Sequence, residues 1–165
     1  MVKIILTGPE SSGKTTLCKV LANYLKIPRS KEYARKYLEE IDRDYTQDDL
    51  TEIAKEQIKL EKEYALLDTD IITIKIWSNY KYGNCEKWIL KQIEKQRSEN
   101  RFYLLCKPDL KWEKDPFREN PNNRIELFEL YKKELENLHH DYYIVEGEKR
   151  DPDSISKILF QKSLF

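Results

Sequence analysis

The sequence predicts an α/β fold: a three-layer sandwich in which a parallel sheet of about five strands carries helices on both faces. Three observations lead there. Short apolar runs alternate with helical segments of ten residues or more, the pattern that parallel strands and their covering helices produce. The first run, Val2 to Leu6, stops at a glycine-containing loop that opens directly into a helix. A later run, Ala65 to Leu67, stops at the acids of Asp68-Thr69-Asp70, as an internal strand does when its carboxyl end opens into a site.

The elements follow in order. Val2 to Leu6 is dense in β-branched residues and suits a buried strand. A helix runs from about Lys14 to Lys26, with Leu17, Val20, Leu21, Tyr24 and Leu25 on one face. Pro28 ends it, a very short second strand falls at 27–29, and Ser30 is placed to cap a helix over Lys31 to about Glu40. Thr46, with Asp48 and Asp49 in the first turn, starts a helix that reaches about Tyr64 and turns Leu50, Ile53, Ala54, Gln57, Ile58 and Leu60 inward. After the strand at 65–67, helices are expected over 71–81 and 85–97. A strand follows at 102–106, then a polar segment at 107–123, a helix at 124–138, a strand at 142–145 and a helix at 152–164. His139-His140 closes the helix before it as a charged or solvated turn.

The bulk numbers narrow the functional classes. A chain of 165 residues fits one domain spanning 1–165 and leaves no room for a second substrate-binding domain. Lys plus Arg number 30, as do Asp plus Glu, so no net field directs the chain to nucleic acid or to an anionic membrane. Cys18, Cys85 and Cys106 are far apart and odd in number, which argues against a disulfide framework or a zinc site. The opening apolar run is too short for a signal peptide, and no segment reaches the roughly 18 apolar residues of a membrane span. The expected location is the cytoplasm. Oligomeric state is not encoded in any of these features.

Gly8-Pro9-Glu10-Ser11-Ser12-Gly13-Lys14-Thr15 fits G-x-x-x-x-G-K-[ST] at every fixed position, between a strand and a helix as that pattern requires. The glycines let consecutive N–H groups converge on one anion, and the helix that follows presents its positive dipole end to it. This is the phosphate-binding loop, or P-loop, of nucleoside triphosphatases and kinases. Lys14 is expected on the β and γ phosphates of ATP, Thr15 on Mg²⁺, and Thr16 on packing or the α-phosphate. Gly8, Glu10, Ser11, Ser12 and Gly13 complete the cradle. Asp68 is the acid placed to hold magnesium with Thr15, and Asp70 competes for that role, for a substrate contact and for capping the next helix. No Asn/Thr-Lys-x-Asp signature for guanine follows the fourth strand, where the chain has Lys107-Pro108-Asp109 instead.

Four pieces together resemble the ribosylnicotinamide kinase domains of bacterial NAD salvage and their P-loop ATPase-like relatives. These are the GPESSGKTTL loop, Glu32-Tyr33-Ala34-Arg35, Asp68-Thr69-Asp70 followed by aromatic residues, and Leu104 to Arg118 with Arg124 beyond. They run in the family's order from residue 1 to about 150. The resemblance implies a nucleoside-kinase-like fold with a lid, and transfer of the γ-phosphoryl of ATP to the 5′-hydroxyl of nicotinamide riboside or a similar small nucleoside. Two departures stand out. Larger family members carry an adenylyltransferase domain that this length does not accommodate, and the expected Thr-Thr pair after Asp-Thr-Asp is Ile72-Thr73 here.

Phosphoryl transfer needs an acceptor oxygen held in line with the γ-phosphate and cations around the moving group. Glu32, after the second strand, is a candidate general base, with Asp70 the rival for that role; the alternative for Glu32 is an ordinary first-turn helix acid. Arg35, one turn on, either pairs with Glu32 or touches substrate, and Tyr33 stands between them. Lys111 to Arg124 reads as a lid whose Arg118 and Arg124 neutralise developing charge, against the reading of solvated loop arginines. Trp77, Tyr80, Tyr82 and Trp112 are aromatic candidates for stacking a planar or cationic ring. Gly147, with Glu146 before it and Arg150 beyond, suits a loop on the adenine side. Competing functions are a kinase for another nucleoside or small metabolite, and an ATP-binding switch or ATPase without a small-molecule acceptor.

Overall fold

The structure is a computed structural model that describes residues 1–119 and 121–164. Four parallel strands form one sheet in the order β2-β1-β3-β4, with β1 at Lys3–Thr7, β2 at Leu66–Asp68, β3 at Arg101–Cys106 and β4 at Asp141–Val145. The expected fifth strand at 27–29 is reduced to a single parallel bridge between Arg29 and Leu66. Pro28 lacks an N–H, which denies this segment a ladder bond.

Residues along each strand alternate between the two faces. Ile5, Leu67, Tyr103 and Leu105 pack with α2 (Tyr33–Ile41), α3 (Gln47–Glu63), α4 (Ile71–Tyr82), α5 (Lys87–Gln96) and α6 (Arg124–Leu138). Ile4, Leu6, Leu66, Phe102, Leu104 and Cys106 pack with α1 (Lys14–Leu25) and α7 (Pro152–Gln161). A short 3-10 turn at Gly147–Arg150 precedes α7. Among the described residues, no helix is long and apolar enough to cross a membrane.

Several local expectations change. On α1 the buried face is Leu17, Cys18 and Leu21, whereas Val20 and Tyr24 are exposed. Ser30 caps no helix: it is buried, its N–H donates to the Leu66 carbonyl, and its Oγ accepts from the Asp68 N–H at 3.1 Å. It therefore fastens the Arg29 bridge to the end of β2. Thr46 does start α3 through a reciprocal capping box with Asp49. His139 ends α6 in a left-handed conformation, and His140 is buried against the Tyr103 ring at 5.3 Å.

Candidate active site

The exits of β1 and β3 define the floor of the cleft. Gly8 leaves β1 with φ +134°, and a Cβ there would lie 2.5 Å from the Cys106 carbonyl oxygen, so any side chain would push the loop off the sheet. Ser11 and Gly13 also take left-handed φ values of 53° and 82°. These reversals curl the loop around Ser12, whose buried Oγ donates to the Pro9 carbonyl at 2.6 Å. Lys14 Nζ donates to the Gly8 and Pro9 carbonyls, both at 2.8 Å. No side chain caps the start of α1, so its first N–H groups point into the loop.

The cleft above this floor has a volume of about 320 Å³ and is lined by every proposed loop residue from Glu10 to Thr16, with Gly8, Glu32, Arg35, Trp77 and Arg118. Thr73, Tyr131 and Arg150 line it too. Thr73 is the residue retained from the expected Thr-Thr pair, whereas Tyr131 carried no signal of a site role because it falls within an amphipathic stripe.

The four acids of the sequence argument separate. Glu32 caps nothing with its side chain; it faces the cleft, where burial raises its pKa and the Lys14 ammonium opposes the rise. Asp68, at the end of β2, is 1% exposed, and both of its carboxylate oxygens lack a hydrogen-bond partner among the described residues. Burial raises its pKa, with the Thr15 hydroxyl, Lys14 and Arg29 favouring the charged form; the Arg29 guanidinium is 3.9 Å away. A buried carboxylate without hydrogen bonds beside a threonine hydroxyl suits a hydrated divalent cation. No cluster of three or more His, Cys, Asp or Glu side chains could hold a metal among the described residues, so phosphate oxygens and water would supply the remaining ligands.

Asp70 lies apart from the cleft. Its carboxylate is fully buried, accepts from the Ile72 N–H at 3.2 Å as the cap of α4, and takes the Tyr103 hydroxyl at 2.7 Å and Arg101 at 3.3 Å. With its oxygens engaged in the core it has neither the access nor the free lone pairs of a base, a metal ligand or a substrate contact. Glu10 lines the cleft and accepts from the Glu119 N–H at 3.1 Å.

Residues 107–119 fold down over the phosphate loop. The Glu113 N–H donates to Ser11 Oγ at 3.3 Å, and Arg124 donates to the Ser11 carbonyl at 3.1 Å while covering the Trp112 ring. Trp112 thus packs under an arginine and does not line the cleft. Arg118 does line it, and donates to the Glu113 carbonyl at 2.8 Å. Arg35 pairs with Asp115 of the lid at 2.9 Å rather than with Glu32, and lies over Phe117. Tyr33 packs on Tyr37, outside the cleft. Gly147 forms the turn after β4, its N–H donating to Asp109. Asp109 also holds Arg150, whose other bonds reach the Ser12 carbonyl at 2.7 Å and the Lys107 carbonyl at 2.6 Å. The residues that stand where a guanine signature would be are therefore occupied in fastening the loop.

A second cavity of about 540 Å³ shares Glu10, Leu38, Trp77 and Phe117 with the cleft and extends to Tyr45, Tyr80, Lys81 and Glu119. Trp77 and Tyr80 thus come together on one wall, Trp77 reaching both spaces.

The loop curled on the β1 exit, the lysine within it and the uncapped helix start define a P-loop nucleotide-binding α/β domain. The chain belongs to an AAA domain family, whose model matches residues 3–151. No curated protein matches it. Among solved structures it resembles NadR protein in complex with NR, at TM-score 0.73 and 23% identity, over 96% of this chain and 51% of that one. It also resembles NadR in complex with NAD and AMP-PNP, at TM-score 0.68 and 22% identity, over 96% of this chain and 49% of the other. The chain thus spans about half the length of those two. Deoxyadenosine kinase from M. mycoides, with dCMP and dCDP bound, aligns at TM-score 0.61 and 15% identity over 99% and 100% of the two chains. The fold is that of P-loop nucleoside kinases.

Proposed function

We propose that this chain is an ATP- and Mg²⁺-dependent kinase of the cytoplasm that phosphorylates the 5′-hydroxyl of a nucleoside-like acceptor, nicotinamide riboside first among them. The observation that carries this reading is the second cavity beside the phosphate loop. Its size falls in the range of ordinary ligand pockets, its walls are aromatic and acidic, and it opens from the cleft that holds Glu32 and Lys14. The likeness to NadR with NR and to deoxyadenosine kinase supports the same class of acceptor.

In this reading the cleft takes the triphosphate and the second cavity takes the base and sugar of the acceptor. Glu32 accepts the proton of the acceptor hydroxyl as its oxygen bonds to the γ-phosphorus, and the bond from that phosphorus to the β–γ bridging oxygen breaks in line. The electron pair leaves with ADP. Lys14 and Arg118 neutralise charge on the moving phosphoryl group. Thr15, with Asp68 acting through water, would hold magnesium, which when bound neutralises the β and γ phosphates. The raised pKa of Glu32 brings it towards the operating pH, as a base requires.

The test is ADP release with Mg·ATP across a panel of nucleosides and deoxynucleosides, with the product identified by mass. Turnover dependent on nicotinamide riboside and yielding its 5′-phosphate supports the proposal in full; dependence on a different nucleoside corrects the acceptor. Turnover indifferent to every acceptor makes the chain an ATPase switch.

A further inference from the structure

We infer that Lys81 sets the charge preference of the second cavity: its ammonium occupies the place a cationic ring would take, and such a ring must displace it, whereas a neutral ring need not. The inference rests on the reading that this cavity receives the acceptor.

Lys81 belongs to the last turn of α4. Its Nζ lies 3.8 Å from the centroid of the Tyr45 ring and 5.8 Å from that of Tyr82. It also makes an ion pair with Glu119 at 3.2 Å. The Tyr45 hydroxyl donates to the other Glu119 oxygen at 2.9 Å, and the Tyr82 hydroxyl donates to the Tyr45 carbonyl at 3.2 Å, which fixes the ring face under the ammonium. Burial, followed by Glu119, raises the Tyr45 phenol, so it remains a donor. An aromatic face with a carboxylate at its edge is a cation receptor, and here the chain supplies the cation itself.

The remaining walls carry the same bias. Trp77, Tyr80 and Phe117 offer further ring faces, and Glu10 is a second carboxylate. Lys81 holds its post lightly: its side chain is 37% exposed and Glu119's is 44%. An exposed ion pair of this kind contributes little, and a lysine stem swings freely into solvent. A pyridinium ring entering the cavity would take over Tyr45 and Glu119 as Lys81 withdraws. A neutral base gains nothing from that exchange and stacks with Lys81 in place.

The experiment titrates 1-methylnicotinamide, a pyridinium cation, and nicotinamide, its neutral counterpart, into the full chain by ligand-observed NMR. Wild type, Lys81→Met and Lys81→Arg are compared, with melting curves confirming that each variant folds. Lys81→Met is expected to tighten the cation about 10-fold relative to the neutral ring, which corresponds to about 1.4 kcal/mol, and Lys81→Arg to keep the wild-type ratio. An unchanged ratio in Lys81→Met, weaker cation binding, or no cation binding at millimolar probe overturns the inference. The acceptor-dependent ADP assay is read separately. A shifted binding ratio without acceptor-dependent turnover refutes the kinase and leaves the charge preference intact; turnover with an unshifted ratio does the reverse.

Discussion

Asp68 and Asp70 stand two residues apart and belong to different chemistries. In an unbroken strand, positions i and i+2 share a face, and the two aspartates would form one site. Thr69 prevents this: its φ of 74° is left-handed, its N–H donates to the Leu6 carbonyl at 3.0 Å, and its own carbonyl accepts from Gln57 at 3.1 Å. The reversal leaves the Asp68 carboxylate behind the phosphate loop without a hydrogen-bond partner among the described residues, and turns Asp70 into the core to meet Arg101 and Tyr103. A buried carboxylate left without a hydrogen-bond partner beside Thr15 and Arg29 suits an added cation, whereas one with its hydrogen bonds made in the core holds the fold.

The largest effect expected on that division comes from the cleft side. Lys14→Ala removes the cation on the phosphates and is expected to lower turnover about 10³-fold, comparable to losing a dedicated charge-stabilising group, with the melting temperature unchanged. Glu32→Gln is expected to lower kcat by about 10²–10⁴-fold, the range for a general base, with the KM for ATP held. In wild type, kcat should fall as pH drops through a pKa above the ordinary carboxylate range, because burial favours the protonated form of Glu32. Glu32→Gln should lose that limb of the pH profile, and a surviving limb would move the base elsewhere.

The core side should respond in stability. Asp70→Asn leaves Arg101 less compensated and is expected to cost about 2–3 kcal/mol, less than the loss of a lone buried partner because Glu61 and Glu99 remain. Calorimetry should show a drop of roughly 5–10 °C, with kcat per folded molecule intact; a kcat loss at full stability would return Asp70 to the site. The smallest effect concerns Glu61, pushed up to about 7 by burial, with Arg101 opposing. The folded chain then holds a proton that the unfolded chain releases near 4.5. Stability from this group is therefore full below that value and is lost as pH rises towards 7. Glu61→Gln should flatten the fall in melting temperature over that window.

Much of this was legible in the sequence, and the failures have physical causes. The G-x-x-x-x-G-K-T pattern located the loop because only glycine tolerates the approach to Cys106, and that constraint is local. The capping box at Thr46 is equally local. By contrast, the pairing of Arg35 with Asp115, and the meeting of Tyr45, Lys81 and Glu119, join segments that no periodicity relates. Of the readings open for Asp70, capping the next helix is the one the structure shows; its pairing with Arg101 was not legible because Arg101 opens a different strand and carries no pattern of its own. Val20 and Tyr24 were placed inward by helical spacing, but the sheet meets α1 along Leu17, Cys18 and Leu21.

Arg150 reaches back across almost the whole chain to hold the carbonyl of Ser12. A loop written at residues 8–15 is therefore held in shape by a residue far along the chain from it. Domains emerge and fold from the N-terminus, so a nascent chain displays β1, the glycines and α1 long before the clamp on Ser12 exists. The hydrogen bond from Arg150 therefore closes on the loop only after every segment between the two has been made.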